Sequence, residues 1–328
     1  MIVITGGAGF IGSNLAASLE ARGESDIVIC DRLGHEEKWR NIAKRELAAV
    51  IPPEALLDFL DGHSREIGVL FHMGAISSTT EADVDLVAAT NFSLSLRLWE
   101  WCTESETRFI YASSAATYGD GAAGFDDDGS VAALARLKPL NAYGWSKHLF
   151  DRRIARLLER HAARPPQWVG LKFFNVYGPN EYHKGGMKSV VAQLCPRAQK
   201  GEAARLFRSD RPDVADGGQK RDFVHVRDCA EMMLWLLDHP AVNGVFNIGS
   251  GRARSFADLA AAVYAALGRE AHIDYVDTPV EIRDKYQYFT EARMERLRAA
   301  GYDRPATPLE DGVRDYVQHY LAAPDPYR

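Results

Sequence analysis

Cysteine is scarce in this chain, four among 328 residues, and Cys30, Cys102, Cys195 and Cys229 stand far apart. With no C-x-x-C pair, neither a thioredoxin-like redox motif nor a structural metal site is expected, and the thiols read as free and buried. Long apolar runs are also missing, since none reaches the roughly 18 residues that a membrane-spanning helix needs. Positive charge is in deficit. Lys and Arg total 39 against 45 Asp and Glu, a net charge of −6, which argues against a nucleic-acid or anionic-membrane surface. Repeats and low-complexity tracts are absent. The first strand pattern begins at Ile2, which leaves no room for a signal peptide, so a cytoplasmic protein is expected.

What is present is an alternation of short apolar runs and longer helical patterns. The segments IVIT (2–5), DIVICD (26–31), GVLFHMG (68–74), RFIYASS (108–114) and WVGLKFFNVYG (168–178) read as strands. Most are apolar throughout, as parallel strands covered on both faces are. Helical patterns lie between them, near 11–22, 83–103 and 142–161. This rhythm predicts an α/β fold with a doubly wound parallel sheet. After residue 178 polar, Gly-rich loops and a helix-rich final third predict a smaller mixed α/β lobe. The expected division is a dinucleotide-binding domain from 1–172 plus about 220–250, and a substrate lobe from 173–219 and 251–328.

Directly after the first strand, ITGGAGFIGS sets Gly6, Gly9 and Gly12 in a G-x-x-G-x-x-G spacing. Such a turn needs positive φ, close approach of bare backbone to a pyrophosphate, and a helix packed near the strand. The helix that follows offers free N–H groups to an anion. Asp31 closes the second strand about 20 residues on, completing a dinucleotide-binding pattern. Its carboxylate suits an adenosine ribose and hence NAD. Arg32 and Lys38 suit a 2′-phosphate, and Lys38 tips the expectation toward NADP, with NAD as the alternative.

The stretch NAYGWSKHLFD places Tyr143 four residues before Lys147, on one helix face. A phenol of pKa near 10 is a poor base at neutral pH. A nearby ammonium, joined by a cationic nicotinamide, favours the phenolate, which could then take a proton from a carbinol. YASSAATYG ends the fourth expected strand, where an open α/β sheet exposes its ligand crevice. Ser114 there is the candidate to hydrogen-bond the reacting oxygen, and Ser113 the candidate to cap the strand end.

Taken together, the glycine pattern, SSAATYG, YGWSK and FNVYGP resemble the extended short-chain dehydrogenase/reductases that act on nucleotide sugars, over essentially the whole chain. Within them the sequence is similar to the ADP-heptose 6-epimerase group, on the evidence of GAISSTTE, FNVYGPNEYHKGGMKSV, KRDFVHVRD and YQYFTEARMERLRAAGYD. That resemblance implies a transient oxidation and re-reduction at a carbinol carbon, with Ser114, Tyr143 and Lys147 as catalytic residues and Lys184 as a second acid/base. It implies cofactor contacts from Phe10, Ile11, Met73, Gly74, Ala75, Ile76, Ser77, Asn91 and Val176 as well as the glycines, Tyr143, Lys147 and Lys184. Substrate contacts are implied for Asn175, Gly186, Gln193, Phe207, Arg208, Ser209, Asp210, Arg221 and Tyr286. The partners implied are a small molecule, an ADP-heptose, and further copies of the chain, as a homo-oligomer and by family habit a homopentamer. Ala115 and Ala116 stand where related dehydratases carry an acid pair, so elimination of water is not expected. The chain departs from the group at Met73, often acidic there, at Pro53, near which a lysine is usual, and at Gln193, commonly a histidine.

Overall fold

The structure is a computed structural model that describes residues 1–35, 37–279, 283 and 287–328. Its large sheet is built from β1 (Ile2–Thr5), β2 (Ile27–Cys30), β3 (Ala49–Ile51), β4 (Val69–His72), β5 (Arg108–Ser114), β6 (Trp168–Phe173) and β10 (Gly244–Ile248). These seven strands lie in the order β10-β6-β5-β4-β1-β2-β3. All the pairings are parallel. Strand order reverses between β1 and β4, which opens a crevice above their carboxyl ends.

Both faces of this sheet are covered, which is why its strands are apolar throughout. On one face Ile2, Ile4, Ile29 and Phe71 pack with Leu15 and Leu19 of α1 (Phe10–Ala21) and with Met233 of α8 (Val226–Asp238). On the other, Val3, Val28, Leu70 and Phe109 pack with Leu98 and Trp99 of α4 (Leu94–Glu104) and with Phe150 and Ile154 of α6 (Ala142–Glu159). Neighbouring residues of one strand thus enter opposite cores.

The long apolar run at 168–178 divides at Phe174. Its first part is β6 of the large sheet; its second is β7 (Asn175–Tyr177), which pairs with β9 (Lys220–His225) in a three-stranded sheet completed by β11 (Ala253–Ser255). A two-stranded parallel sheet joins β8 (Ala204–Phe207) to β12 (Ile273–Val276). Around these a separate core forms from α7 (Val190–Lys200), α9 (Phe256–Ala266) and a C-terminal helix (Leu309–Tyr316), through Leu194, Val263, Val313 and Tyr316. β3 escaped the sequence reading because it is a three-residue edge strand with Val50 exposed. The helical pattern at 83–103 is interrupted by a widened turn at Ala89–Ser93, between Val84–Ala88 and α4. The four cysteines are free and buried. Among the described residues no helix is long and apolar enough to cross a membrane, and no cluster could hold a metal ion.

Candidate active site

The crevice at the strand-order reversal is a groove of about 490 Å³. Its floor is the glycine turn. Gly6 has φ +65°, and a Cβ there would lie 2.6 Å from the Gly74 Cα, so the turn can nest against the end of β4 only as glycine. A Cβ on Gly12 would sit 2.3 Å from the Gly6 carbonyl oxygen and would push α1 off the strand. Gly9 occupies the N-cap of α1, and no side chain caps that first turn. Among the described residues no carboxylate or hydroxyl answers the N–H groups and the positive end of the helix dipole, which suit a diphosphate.

Asp31 ties this turn to the second strand. One carboxylate oxygen accepts from the Ala8 N–H at 2.9 Å, the other from the Arg32 N–H at 2.7 Å and from Lys38 Nζ at 2.6 Å. Asp31 and Lys38 both line the groove. Arg32 does not, and its exposed guanidinium pairs with Glu54. Phe10, Ile11, Met73, Gly74, Ala75, Ser77 and Val176 also line it. Ile76 and Asn91 stand behind the wall. The Ile76 N–H donates to Asn91 Oδ1 at 2.8 Å and Asn91 Nδ2 returns a bond to the Ile76 carbonyl at 2.9 Å. The widened helical turn is what delivers Asn91 to that position.

Tyr143 and Lys147 project from the first two turns of α6. Asn141 caps that helix, accepting from the Gly144 N–H at 2.8 Å. Gly144 lies so near Ala116 that a Cβ would be 2.7 Å from its carbonyl oxygen. The helix start is therefore pressed against the turn after β5, and Tyr143 comes to Ser114. Burial raises the Tyr143 phenol above its ordinary pKa of 10, and hydrogen bonding with Ser114 opposes that shift. Lys147 is almost fully buried, and this lowers its pKa to about 8, with Asp151 opposing. In the protein alone, then, the phenol stays protonated. Activation therefore needs a further cation in the groove, because desolvation keeps Lys147 by itself from accomplishing it.

Ser114 and Tyr143 line the dinucleotide groove and also a neighbouring cavity of about 650 Å³. Asn175 and Arg221 are on its wall. Arg221 is buried, its guanidinium 5.6 Å from the Phe256 ring centroid and bonded to the carbonyls of Lys220 and Gln287. A third cavity of about 380 Å³ adjoins both, lined by Asn175, Val176, Lys184, Lys188 and Arg221. Lys184 stands between this cavity and the groove, Nζ 5.1 Å from the Phe10 ring centroid, with its pKa lowered by burial against the pull of Glu181.

Ser113 also lines the groove, but its hydroxyl is engaged within the protein. Its hydroxyl donates to Asp151 at 2.7 Å, in a buried network where Lys172 Nζ also donates to Asp151 at 2.7 Å and to Thr117 at 2.6 Å. Gly186 and Gln193 lie outside the cavities, and Gln193 Nε2 donates to the Lys188 carbonyl at 2.7 Å and the Gly186 carbonyl at 3.3 Å, bracing their loop. Phe207, Arg208, Ser209 and Asp210 continue from β8 away from the cavity walls, with Arg208 3.8 Å from Asp277 and Asp210 3.5 Å from Arg283. Tyr286 lies outside the described residues. Sequence reasoning missed Thr79, Thr80 and Glu81, Asn141, Gln287 and Thr290, all on the wall of the larger cavity, and His183 in the groove. The signal existed, since these residues sit in or beside the motifs GAISSTTE, NAYGWSK, YQYFTE and NEYHKGG.

A glycine-floored groove sharing a serine and a tyrosine with a second cavity defines a dinucleotide-dependent enzyme of the doubly wound α/β class. Residues 2–249 match the NAD dependent epimerase/dehydratase family, and the chain belongs to that family. It is 50% identical over 329 residues, with full coverage of both chains, to ADP-L-glycero-D-manno-heptose-6-epimerase of Nitratidesulfovibrio vulgaris (strain DP4). Among solved structures, the ADP-L-glycero-D-manno-heptose-6-epimerase of Helicobacter pylori aligns with a TM-score of 0.77 at 30% identity, covering 97% of this chain and 95% of that one. UDP-glucose 4-epimerase of Thermus thermophilus, in complex with NAD, aligns with a TM-score of 0.73 at 25% identity, over 97% of this chain and 98% of the other.

Proposed function

We propose that this protein is an isomerase that converts ADP-D-glycero-β-D-manno-heptose into its L-glycero epimer at C6, supplying heptose for the inner core of lipopolysaccharide. The single observation that carries the proposal is Ser114 and Tyr143 lining both the groove and the large cavity, with Lys184 lining the same groove. When bound, the dinucleotide supplies a hydride acceptor that can return what it takes, so no net oxidation occurs.

The protein's own part is proton handling and orientation. Tyr143 takes the proton of the C6 hydroxyl while Ser114 holds the same oxygen. Bringing a phenol down by three units from its ordinary pKa of 10 takes roughly 4 kcal/mol of differential stabilisation, and burial of Tyr143 adds to that requirement, which Lys147 and a second cation in the desolvated site have to meet together. The C6 ketone then turns within the cavity, and Lys184 protonates its oxygen on the opposite side. Its lowered pKa makes it a better proton donor than an exposed lysine. Ala115 and Ala116 offer no acid or base for elimination, which supports epimerisation over dehydration.

Lys38 on the groove beside Asp31 supports NADP as the resident cofactor over NAD. Residues 1–172 with about 220–250 act as the dinucleotide domain, and 173–219 with 251–328 as the substrate lobe; the enzyme works in the cytoplasm as a homo-oligomer, a pentamer on the family pattern. Arg221 is the candidate for the sugar-nucleotide diphosphate through its bidentate fork. The test is incubation with ADP-D-glycero-β-D-manno-heptose and separately with UDP-galactose, followed by proton NMR of the products. Inversion of the heptose is expected, and turnover of UDP-galactose alone would replace this reading with a UDP-hexose 4-epimerase.

A further inference from the structure

The loop that carries Lys184 is fastened to the glycine turn by three buried asparagines. Asn14 of α1 donates from Nδ2 to the carbonyls of Phe10 and Pro179, both at 2.9 Å. Asn180 adopts φ +73°, a left-handed conformation that asparagine tolerates better than most residues. Its amide donates to Ser13 Oγ at 3.1 Å and to the Asn41 carbonyl at 3.3 Å. Arg328 locks the arrangement from outside, its backbone N–H on Asn180 Oδ1 at 2.9 Å and its guanidinium on Asn14 Oδ1 at 3.2 Å and Ser18 Oγ at 2.8 Å.

Asn41 completes the set and reaches His183. Its Nδ2 donates to the Ala8 carbonyl at 2.8 Å and lies 3.1 Å from His183 Nδ1. A carbonyl only accepts, so the atom of Asn41 that faces both groups must be the amide nitrogen. His183 Nδ1 must then accept, and the ring proton resides on Nε2. Burial, with Lys38 and Lys184 nearby, outweighs the pull of Asp31 and of the Asn180 carbonyl, lowers the His183 pKa to about 4 and keeps the ring neutral. His183 lines the groove with Asp31, Lys38 and Lys184.

We propose that His183 is a dinucleotide-binding residue, held by the asparagine latch as the Nε2–H tautomer so that it donates a hydrogen bond to a phosphate oxygen of the cofactor. This rests on the dinucleotide reading of the groove. A neutral donor between two ammonium groups adds direction to the charge that Lys38 and Lys184 provide, without the repulsion a third cation would bring. It also joins the turn bearing Lys38 to the loop bearing Lys184, so that a loaded groove holds the second acid/base in place.

The test uses nucleotide-free full-length protein titrated with NADP and NAD by calorimetry, alongside nitrogen-15 NMR of the histidine side chains. His183→Phe is expected to weaken binding by roughly 10- to 100-fold, the range of one hydrogen bond to a charged group, and His183→Gln, which keeps an N–H near Nε2, to recover much of it. Loss for both dinucleotides places the bond on the shared diphosphate, and loss for NADP alone on the 2′-phosphate. The imidazole is expected to show the Nε2–H tautomer and to shift when nucleotide is added. A His183→Phe variant of wild-type affinity, an Nδ1–H tautomer, or equal losses in the Phe and Gln variants with an unshifted imidazole would overturn the inference. Wild-type protein that binds neither dinucleotide would instead remove the reading it rests on.

Discussion

Replacing Lys147 with methionine is expected to make the protein more stable and inactive at once. Lys147 is 3% exposed, and its pKa falls from 10.5 to about 8, chiefly because burial penalises the charged form. That difference corresponds to roughly 3 kcal/mol of native-state cost whenever the side chain is charged in both states, which means below about pH 8. Between about pH 8 and 10.5 the unfolded chain binds the proton and the native one does not, so this group's contribution to stability rises with pH. Above that range both forms are neutral and the cost is gone. Methionine fills similar volume without charge, and its introduction strands no carboxylate, since Asp151 keeps Lys172 at 2.7 Å. The assay is urea unfolding of nucleotide-free wild type and Lys147→Met at pH 7 and near pH 10.5. The variant should gain up to about 3 kcal/mol at pH 7 and little at the higher pH. Other titrating groups are common to both proteins and cancel. A variant less stable than wild type at pH 7, or a gap that ignores pH, would refute the claim that the site holds a desolvated ammonium.

Three further outcomes follow from the same geometry. Tyr143→Phe should lower turnover by about 100- to 10,000-fold, the range for a lost general base, while dinucleotide affinity measured by calorimetry stays near wild type. Lys172→Met leaves Asp151 buried without its cation and should cost about 3–5 kcal/mol in chemical denaturation, whereas the double change Asp151→Asn with Lys172→Met should recover most of that loss. Gly12→Ala, whose Cβ would meet the Gly6 carbonyl at 2.3 Å, should abolish measurable dinucleotide binding even where the purified protein retains its far-ultraviolet circular dichroism.

The parts of this site legible in the sequence are those fixed by local chemistry. Gly6 and Gly12 announce themselves because backbone must approach backbone, and the four-residue interval of Tyr143 and Lys147 is a property of any helix. What could not be read depends on contacts between distant segments. The break at Phe174 is invisible in a run that is apolar on both sides of it, because the two halves differ only in which sheet receives them. Nothing local marks Lys172 of β6 as the partner of Asp151, which only the packing of α6 on the sheet brings beside it. The asparagines at 14, 41 and 180 carry no pattern at all, as they meet only when α1, the turn after β2 and the loop after β7 are packed together. Short motifs also proved wider than their best-known members, since Thr79, Thr80 and His183 adjoin residues already singled out.

The proposed epimerisation requires the carbon-bound hydrogen at C6 to leave and return without meeting solvent, only the hydroxyl proton being exchanged through the candidate acid/bases Tyr143 and Lys184. The direct measurement is epimerisation of the ADP-heptose in deuterium oxide, with mass spectrometry and proton NMR of the product. No deuterium at C6 is predicted after complete turnover. One deuterium at C6 per inversion would show that the hydrogen is lost to solvent as a proton, and the assigned roles would not hold.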